Sequence, residues 1–356
     1  MSNRKKRVIL FISIPIIICA VSYCFIFHRS GAPSDTRAPF EIHFLDIGQG
    51  DSALVLCGEY AMLIDGGNLN DASRLISMIK RQSITHLDCI ICTHAHSDHA
   101  GGLAAAVEAF SPDFALAPDA EEYSREMYLF RQALDARNIP LYITSPGKVM
   151  QFGDADVTIL GPLQTSENLN DASMVLRITY GDISILFMGD AEFSEENDLL
   201  SANLLSESTV LKVGHHGAEN STSEDFLNCV RPLYAVISSG VGNDYGHPHK
   251  ALLDRLRSFD VKTFRTDLQG EITLKSDGTT VSFEVQGAPD ADTLSPIRKL
   301  NDDTVMEYVI NRNSGVFHKP DCSGALSMKE ENRMEVSDTR LHLIEQGYKP
   351  CGRCNP

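Results

Sequence analysis

The stretch THAHSDHAGG, residues 93–102, decides how this chain is read. His94, His96, Asp98 and His99 follow directly on the apolar run Leu87-Asp88-Cys89-Ile90-Ile91-Cys92. A buried strand that ends in so many titratable groups must satisfy each of them as it leaves the core. In an extended or tightly turned segment, residues two apart point the same way. His94 and His96 can therefore pinch one cation while Asp98 and His99 turn toward a second. Imidazole with carboxylate suits Zn2+, with Mn2+ or Fe as alternatives. Gly101 and Gly102 allow close backbone approach, so the next helix can begin beside the site. Four polar residues serving only as a helix cap would leave several desolvated donors and acceptors unmatched.

One loop cannot fill two coordination shells, so further ligands are expected at other strand ends. Asp190 follows the run 183–188, well placed to bridge two metals. His215 and His216 follow 210–213, and His247 and His249 follow 235–238. Alone, Asp190 reads equally as a turn cap and His247 as a loop histidine; their recurrence at strand ends favours a shared site. Asp65, in Leu63-Ile64-Asp65-Gly66-Gly67, is expected to orient a ligand histidine from behind.

Around these positions short apolar strands alternate with helical stretches from residue 41 to about 286. Strands are expected at 42–46 and 52–56, flanking the turn Gly48-Gln49-Gly50-Asp51, then at 60–64 and 87–92. Helices are expected at 72–80 and 103–110. Later strands fall at 157–160, 174–180, 183–188, 209–213 and 234–238. A hairpin at 271–274 and 281–285 turns on Asp277-Gly278. This pattern predicts an α/β fold of two packed sheets with helices outside, not a doubly wound parallel sheet. Cys89 and Cys92 lie three apart on a strand and face opposite sides, which makes them core residues.

A chain of 356 residues with 43% apolar content can bury one large core plus a small appendage. Its formal charge of −17 repels polyanions at long range, so any nucleic-acid contact must use local basic groups or bound cations. Residues 1–7 are basic and 8–27 mostly apolar, followed by a polar stretch, 28–40. Twenty residues rising about 1.5 Å each span the hydrocarbon core, and the basic end stays in the cytoplasm. A single-pass membrane anchor with the remainder extracytoplasmic is the expectation. A cleaved signal, giving a secreted protein, is the alternative. Bulky residues before the polar stretch disfavour cleavage, and Tyr23 disfavours a lipid anchor at Cys24.

The region 41–286 resembles the metallo-β-lactamase fold, an αββα sandwich, through His94, His96, Asp98 and His99, the Asp190 strand end and the later histidines. Within that superfamily it is closest in wording to the extracellular hydrolase domain of ComEC-type DNA-uptake proteins. His43-Phe44-Leu45-Asp46-Ile47-Gly48-Gln49-Gly50-Asp51-Ser52, the segment 170–176, His215-His216-Gly217 and Tyr245-Gly246-His247-Pro248 carry that likeness. The resemblance implies hydrolysis at two divalent cations, Zn2+ or Mn2+, held by His94, His96, Asp98, His99, Asp190 and His216. Many members carry another histidine before the bridging aspartate; here Asn170-Asp171 stands instead. Either Asp171 substitutes or that metal is under-coordinated. His216 is favoured as ligand, and His215 or His247 as proton donor, with Asp98 also in the catalytic group.

Residues 287–302 read as a polar linker, and 303–356 as a compact tail. His318 and Cys322 form one ligand pair, Cys351 and Cys354 another, the expected frame of a closed structural Zn2+ site. A redox role for Cys351 and Cys354 lacks a thioredoxin-like context. The tail resembles the zinc-binding module of Ada-type DNA-repair methyltransferases. His318 replaces the methyl-accepting thiol of that family, so phosphotriester repair is not expected. Two function classes follow: a membrane-anchored nuclease or phosphodiesterase acting on DNA, or a hydrolase of another phosphoester or a lactam, such as a phosphocholine ester. A non-catalytic, metal-stabilised binding protein is the third reading. No channel-forming helices follow residue 286, so a complete DNA translocator is not expected.

Overall fold

A computed structural model describes residues 39–119, 124–164, 166–295, 305–320, 322–351 and 354. The expected anchor, 8–27, lies outside the described residues. Among the described residues no helix is long and apolar enough to cross a membrane.

The chain runs β1 (Phe40–Phe44), β2 (Ala53–Cys57), β3 (Tyr60–Ile64), α1 (Ala72–Arg81), β4 (Cys89–Ile91), α2 (Ser97–Ala100), α3 (Leu103–Phe110), β5 (Phe114–Pro118), α4 (Arg125–Ala136) and β6 (Leu141–Thr144). It continues through β7 (Val149–Phe152), β8 (Ala155–Ile159), β9 (Leu176–Tyr180), β10 (Ile183–Phe187), α5 (Phe193–Ser201), β11 (Val210–Lys212), α6 (Glu224–Val230), β12 (Tyr234–Ile237), α7 (Lys250–Ser258), β13 (Lys262–Arg265) and α8 (Thr266–Gln269). The hairpin β14 (Ile272–Ser276) and β15 (Val281–Val285) then returns to pair with β1. One sheet has the order β15-β14-β1-β2-β3-β4-β5-β6 and the other β13-β12-β11-β10-β9-β8-β7.

Each sheet is half antiparallel and half parallel. Strands β3 to β6 are parallel, as are β10 to β13. Parallel neighbours need long crossovers, and helices α1, α3 and α4, then α5, α6 and α7, supply them. The loops that carry His94 to His99, Asp190, His215 and His216, and His247 each leave the C-terminal end of one of these parallel strands.

The strands separate two kinds of core. Along β2, Ala53, Val55 and Cys57 face the opposite sheet, whereas Leu54 and Leu56 face the helices. Cys89 likewise sits between the sheets and Cys92 beneath the helices, both as free thiols. A second helical layer packs on the other sheet through Leu199, Phe226 and Leu253. Helices α2 and α4 to α8 and strands β5, β6, β7 and β13 of the sandwich have no counterpart in the sequence expectations; β6 is short and largely exposed, without clean alternation.

The first part of the expected linker is not free-running. Arg265, fully buried, pairs with Asp267 at 2.7 Å and donates to Thr293 O at 3.2 Å and Ser295 O at 2.7 Å. These bonds strap residues 293–295 onto β13, because a buried guanidinium has to satisfy all of its donors. The tail forms a separate sheet of β16 (Val305–Asn311), β17 (Val316–His318), β18 (Arg333–Thr339) and β19 (Lys349–Pro350), ordered β18-β16-β17-β19. Two short helices, α9 (Ser323–Leu326) and α10 (Arg340–Glu345), complete it.

Candidate functional site

The loop after β4 delivers His94, His96, Asp98 and His99, and the loop after β10 delivers Asp190. His94, His96 and Asp190 place ligand atoms within 4.8 Å of one another; Asp51, His99, Asp190 and His216 form a second such group. Asp190 belongs to both. Its Oδ1 lies 3.1 Å from His99 Nε2, and its Oδ2 lies 3.5 Å from His216 Nε2 and 3.8 Å from His94 Nε2. Asp98 Oδ2 adds a contact of 3.3 Å to His216 Nε2.

Close glycines make this convergence possible. A Cβ on Gly50 would come within 2.5 Å of Asp98 O, and one on Gly102 within 2.2 Å of Gly66 O. His215 and His216 occupy left-handed backbone, with φ of 48° and 53°. Left-handed backbone in successive non-glycine residues is costly and is retained where the surroundings hold it in place.

The outward nitrogens fix which nitrogen faces inward. Asp65 Oδ2 takes a hydrogen bond from His99 Nδ1 at 2.8 Å and from Thr93 Oγ1 at 2.7 Å. Thr93 Oγ1 in turn lies 3.2 Å from His94 Nδ1, so one carboxylate orients two rings. His216 Nδ1 donates to Ser238 O at 3.1 Å, with Asp51 Oδ1 at 3.2 Å. Asp51 Oδ2 pairs with the buried ammonium of Lys212 at 2.7 Å. Asp51 thus meets the outward nitrogen of His216 and stands behind the ring.

The resulting electrostatics are extreme. Burial opposes a charged His99, yet Asp190 and Asp65 raise its pKa well above the usual range. Burial works the same way on His216, where Asp190 and Asp51 raise it to about 10. Asp190 is held well below the carboxylate range, since His216 and His99 outweigh its burial. Burial and the neighbouring His99 push His94 well below the imidazole range. Burial of Asp51 is outweighed by Lys212 and His216, which hold it at about 2.

This donor set fits divalent metal. The nitrogens of His94 Nε2 and His96 Nδ1 face each other at 3.0 Å, and those of His99 and His216 at 3.4 Å. His99 and His216, held protonated by the surrounding carboxylates, repel at this distance, and a divalent cation bound between the inward nitrogens would replace their protons. Imidazoles and carboxylates suit Zn2+ or Mn2+.

Several residues stand elsewhere than the sequence implied. Asp171 turns away from the cluster: its Oδ1 accepts from the backbone N–H of Glu192 at 3.0 Å and of Glu195 at 3.5 Å. The first turn of α5 has unpaired N–H groups, and Asp171 satisfies them, which corrects its assignment as a metal ligand. Its neighbour Asn170 faces the cleft instead, donating to Glu192 Oε1 at 2.7 Å. Glu192 Oε1 also lies 3.0 Å from His215 Nδ1 and Asn170 Nδ2 lies 3.5 Å from His215 Nε2, so the ring is held between them on the cleft wall. His247 lines the same cleft, its ring centroid 5.4 Å from that of His215; burial and the adjacent His216 lower its pKa to about 3. Sequence reasoning missed Asp51, Lys212, Asn170 and Glu192. Lys212 carried the one available signal, a charge inside the apolar run Val210-Leu211-Lys212-Val213.

The family model described as the metallo-beta-lactamase superfamily matches residues 45–241. The chain belongs to the metallo-beta-lactamase superfamily. This metallo-beta-lactamase domain is 30% identical over 264 residues to ComE operon protein 3 of Bacillus subtilis, covering 69% of this chain and 34% of that protein. It is 31% identical over 254 residues to competence protein ComA of Neisseria gonorrhoeae, covering 70% of this chain and 34% of that one. The matched region therefore spans about one third of these relatives. Among solved structures, the metallo-beta-lactamase fold protein YhfI of B. subtilis aligns with a TM-score of 0.47 and 14% identity, over 70% of this chain and 100% of that one.

In the tail, His318, Cys322, Cys351 and Cys354 converge with ligand atoms within 4.8 Å. The backbone N–H of Lys319 donates to Cys354 Sγ at 3.4 Å, and the buried His318 Nδ1 has no hydrogen-bond partner. Three thiols around an imidazole nitrogen suit a soft, closed tetrahedral site.

Proposed function

We propose that this chain is a membrane-anchored, extracytoplasmic phosphodiesterase that cleaves DNA with two divalent metals. The observation that carries the reading is Asp190, standing between two histidine groups on the floor of an open polar cleft of about 230 Å3. Asp98 and His216 complete the second group, and Asp65 and Asp51 hold the rings in register. Divalent cations held there would activate water and offset charge on a phosphoryl group. His215, backed by Glu192, and His247 both line the cleft; His215 is placed to protonate a leaving oxygen, and His247, kept neutral, to donate a hydrogen bond to a phosphoryl oxygen. The names of the relatives, competence proteins, favour DNA over a lactam or a phosphocholine ester. The basic end and the apolar run 8–27 support the anchor, and the Cys3His cluster supports a structural Zn2+ in the tail.

The test is to incubate the purified chain with Mn2+ or Zn2+ and labelled single- or double-stranded DNA, a chromogenic phosphodiester, a phosphocholine ester and a lactam. Cleavage of DNA and the diester is expected; turnover confined to the lactam or the choline ester would overturn the reading. External protease on cells with a permeabilised envelope should remove the hydrolase region, and protection there would overturn the topology.

A further inference from the structure

We propose that Tyr245 is a stacking platform for the nucleobase beside the scissile phosphate, so that the cleft takes a single strand with its bases splayed; this rests on the phosphodiesterase reading above. Tyr245 as a residue is 65% exposed, yet it forms part of the cleft wall together with His96, Asp98 and Asp190. It lies at 21° to the His247 ring with centroids 5.6 Å apart, so one face is backed and the other is open. A single exposed aromatic elsewhere on the surface would need no explanation. This one stands at the mouth of the cleft.

Its loop is braced. Asn243 Oδ1 accepts from His247 N at 3.0 Å, while its Nδ2 donates to Gly240 O at 3.0 Å and His247 O at 2.6 Å. Tyr245 O lies 3.1 Å from His249 Nε2. A platform held in this way loses little freedom when a base settles on it.

Charge points the same way. None of the described residues lining the cleft is Lys or Arg, and the chain carries −17 overall. A nucleic acid therefore finds no basic clamp at the cleft besides the metals it would hold, and contacts that do not depend on charge have to add to their grip. Gln49 offers one more. Its Oε1 accepts from Gly240 N at 3.1 Å, which leaves its buried Nε2 in the cleft wall without a partner, a neutral donor for a phosphate oxygen.

The chain contains no tryptophan, so Tyr245→Trp places a sole indole reporter on the cleft. Titration with a short single-stranded oligonucleotide, and with an abasic strand of equal length and charge, reads stacking directly. Quenching by the intact strand is expected at a concentration about tenfold lower than by the abasic one. In parallel, Mn2+-loaded wild type should cleave the intact strand with about tenfold higher kcat/KM than the abasic strand. Tyr245→Ala should lose that preference and Tyr245→Phe should keep it. Equal quenching by both strands, or a preference that survives Tyr245→Ala, overturns the platform alone. Failure of the wild type to cleave either strand overturns the phosphodiesterase reading, and the platform with it.

Discussion

The cleft of the sandwich draws its ligands from His94 to His216, on loops leaving separate parallel strands, whereas the tail draws His318, Cys322, Cys351 and Cys354 from one short segment. Beneath the cleft lie three large apolar clusters, two of them facing helices. Beneath the tail site, among the described residues, lie Tyr308, Ile310, Phe317 and Leu343 with the partly buried Met334, Val336 and Tyr348 on one side, and Val309 and Ala325 beside the cysteines. The difference concerns what folds what. A large core positions its metal ligands in advance, while a small one borrows stability from the metal it binds.

The largest effect is expected from Cys354→Ser in the full chain. Metal-linked folding energy in small closed sites is of order 10 kcal/mol, so the tail should lose its metal and unfold. Metal stoichiometry should fall by one, the tail should become protease-sensitive, and cleavage of a small phosphodiester should hold. Retention of that metal would erase the contrast. His96→Ala should do the converse, lowering turnover by more than the roughly 100-fold that loss of an outer partner costs while leaving thermal melting near wild type. Unchanged turnover in the metal-reconstituted variant would remove His96 from the centre.

Asp65→Ala sharpens the comparison, because Asp65 touches no cleft-facing nitrogen and can act only through Thr93, His94 and His99. A loss of about 10- to 100-fold in metal affinity is expected, read by competition with a chelator. Affinity equal to wild type would show that the rings need no support from behind.

The smallest effect concerns His43, buried between Glu41 and Glu271 on the helix-facing side of β1. Burial pulls its pKa down, but Glu271 and Glu41 raise it above the ordinary 6.5. A raised folded pKa contributes stability that is complete below 6.5 and fades as pH rises through the folded value. The melting temperature of wild type relative to His43→Gln should therefore stand highest near pH 6 and converge toward pH 9. A difference independent of pH would show that His43 contributes by packing alone.

Much of this was legible in the sequence for a physical reason. Short apolar runs bounded by turn residues mark buried strands and apolar residues three and four apart mark helices, so β3 and α3 appear in the sequence at the boundaries the structure gives them. A polar cluster at the end of an apolar run has few interpretations other than chemistry. The four tail ligands are close in sequence, so their convergence needs little of the fold. Asp171 and Asn170 show the limit. They are adjacent, and only the position of α5 decides that the aspartate caps a helix while the asparagine faces the cleft.

The sequence by itself determined the period of the strands, the ligand types and their places at strand ends, because these follow from local geometry and side-chain chemistry. Tertiary structure alone decided which histidines Asp190 stands between, that Asp51 backs His216 with Lys212 behind it, and that Tyr245 joins His247 on the cleft wall. Those relations depend on how two mixed sheets stack and where their crossovers end. The residues involved lie far apart along the chain, and neither periodicity nor spacing carries that distance.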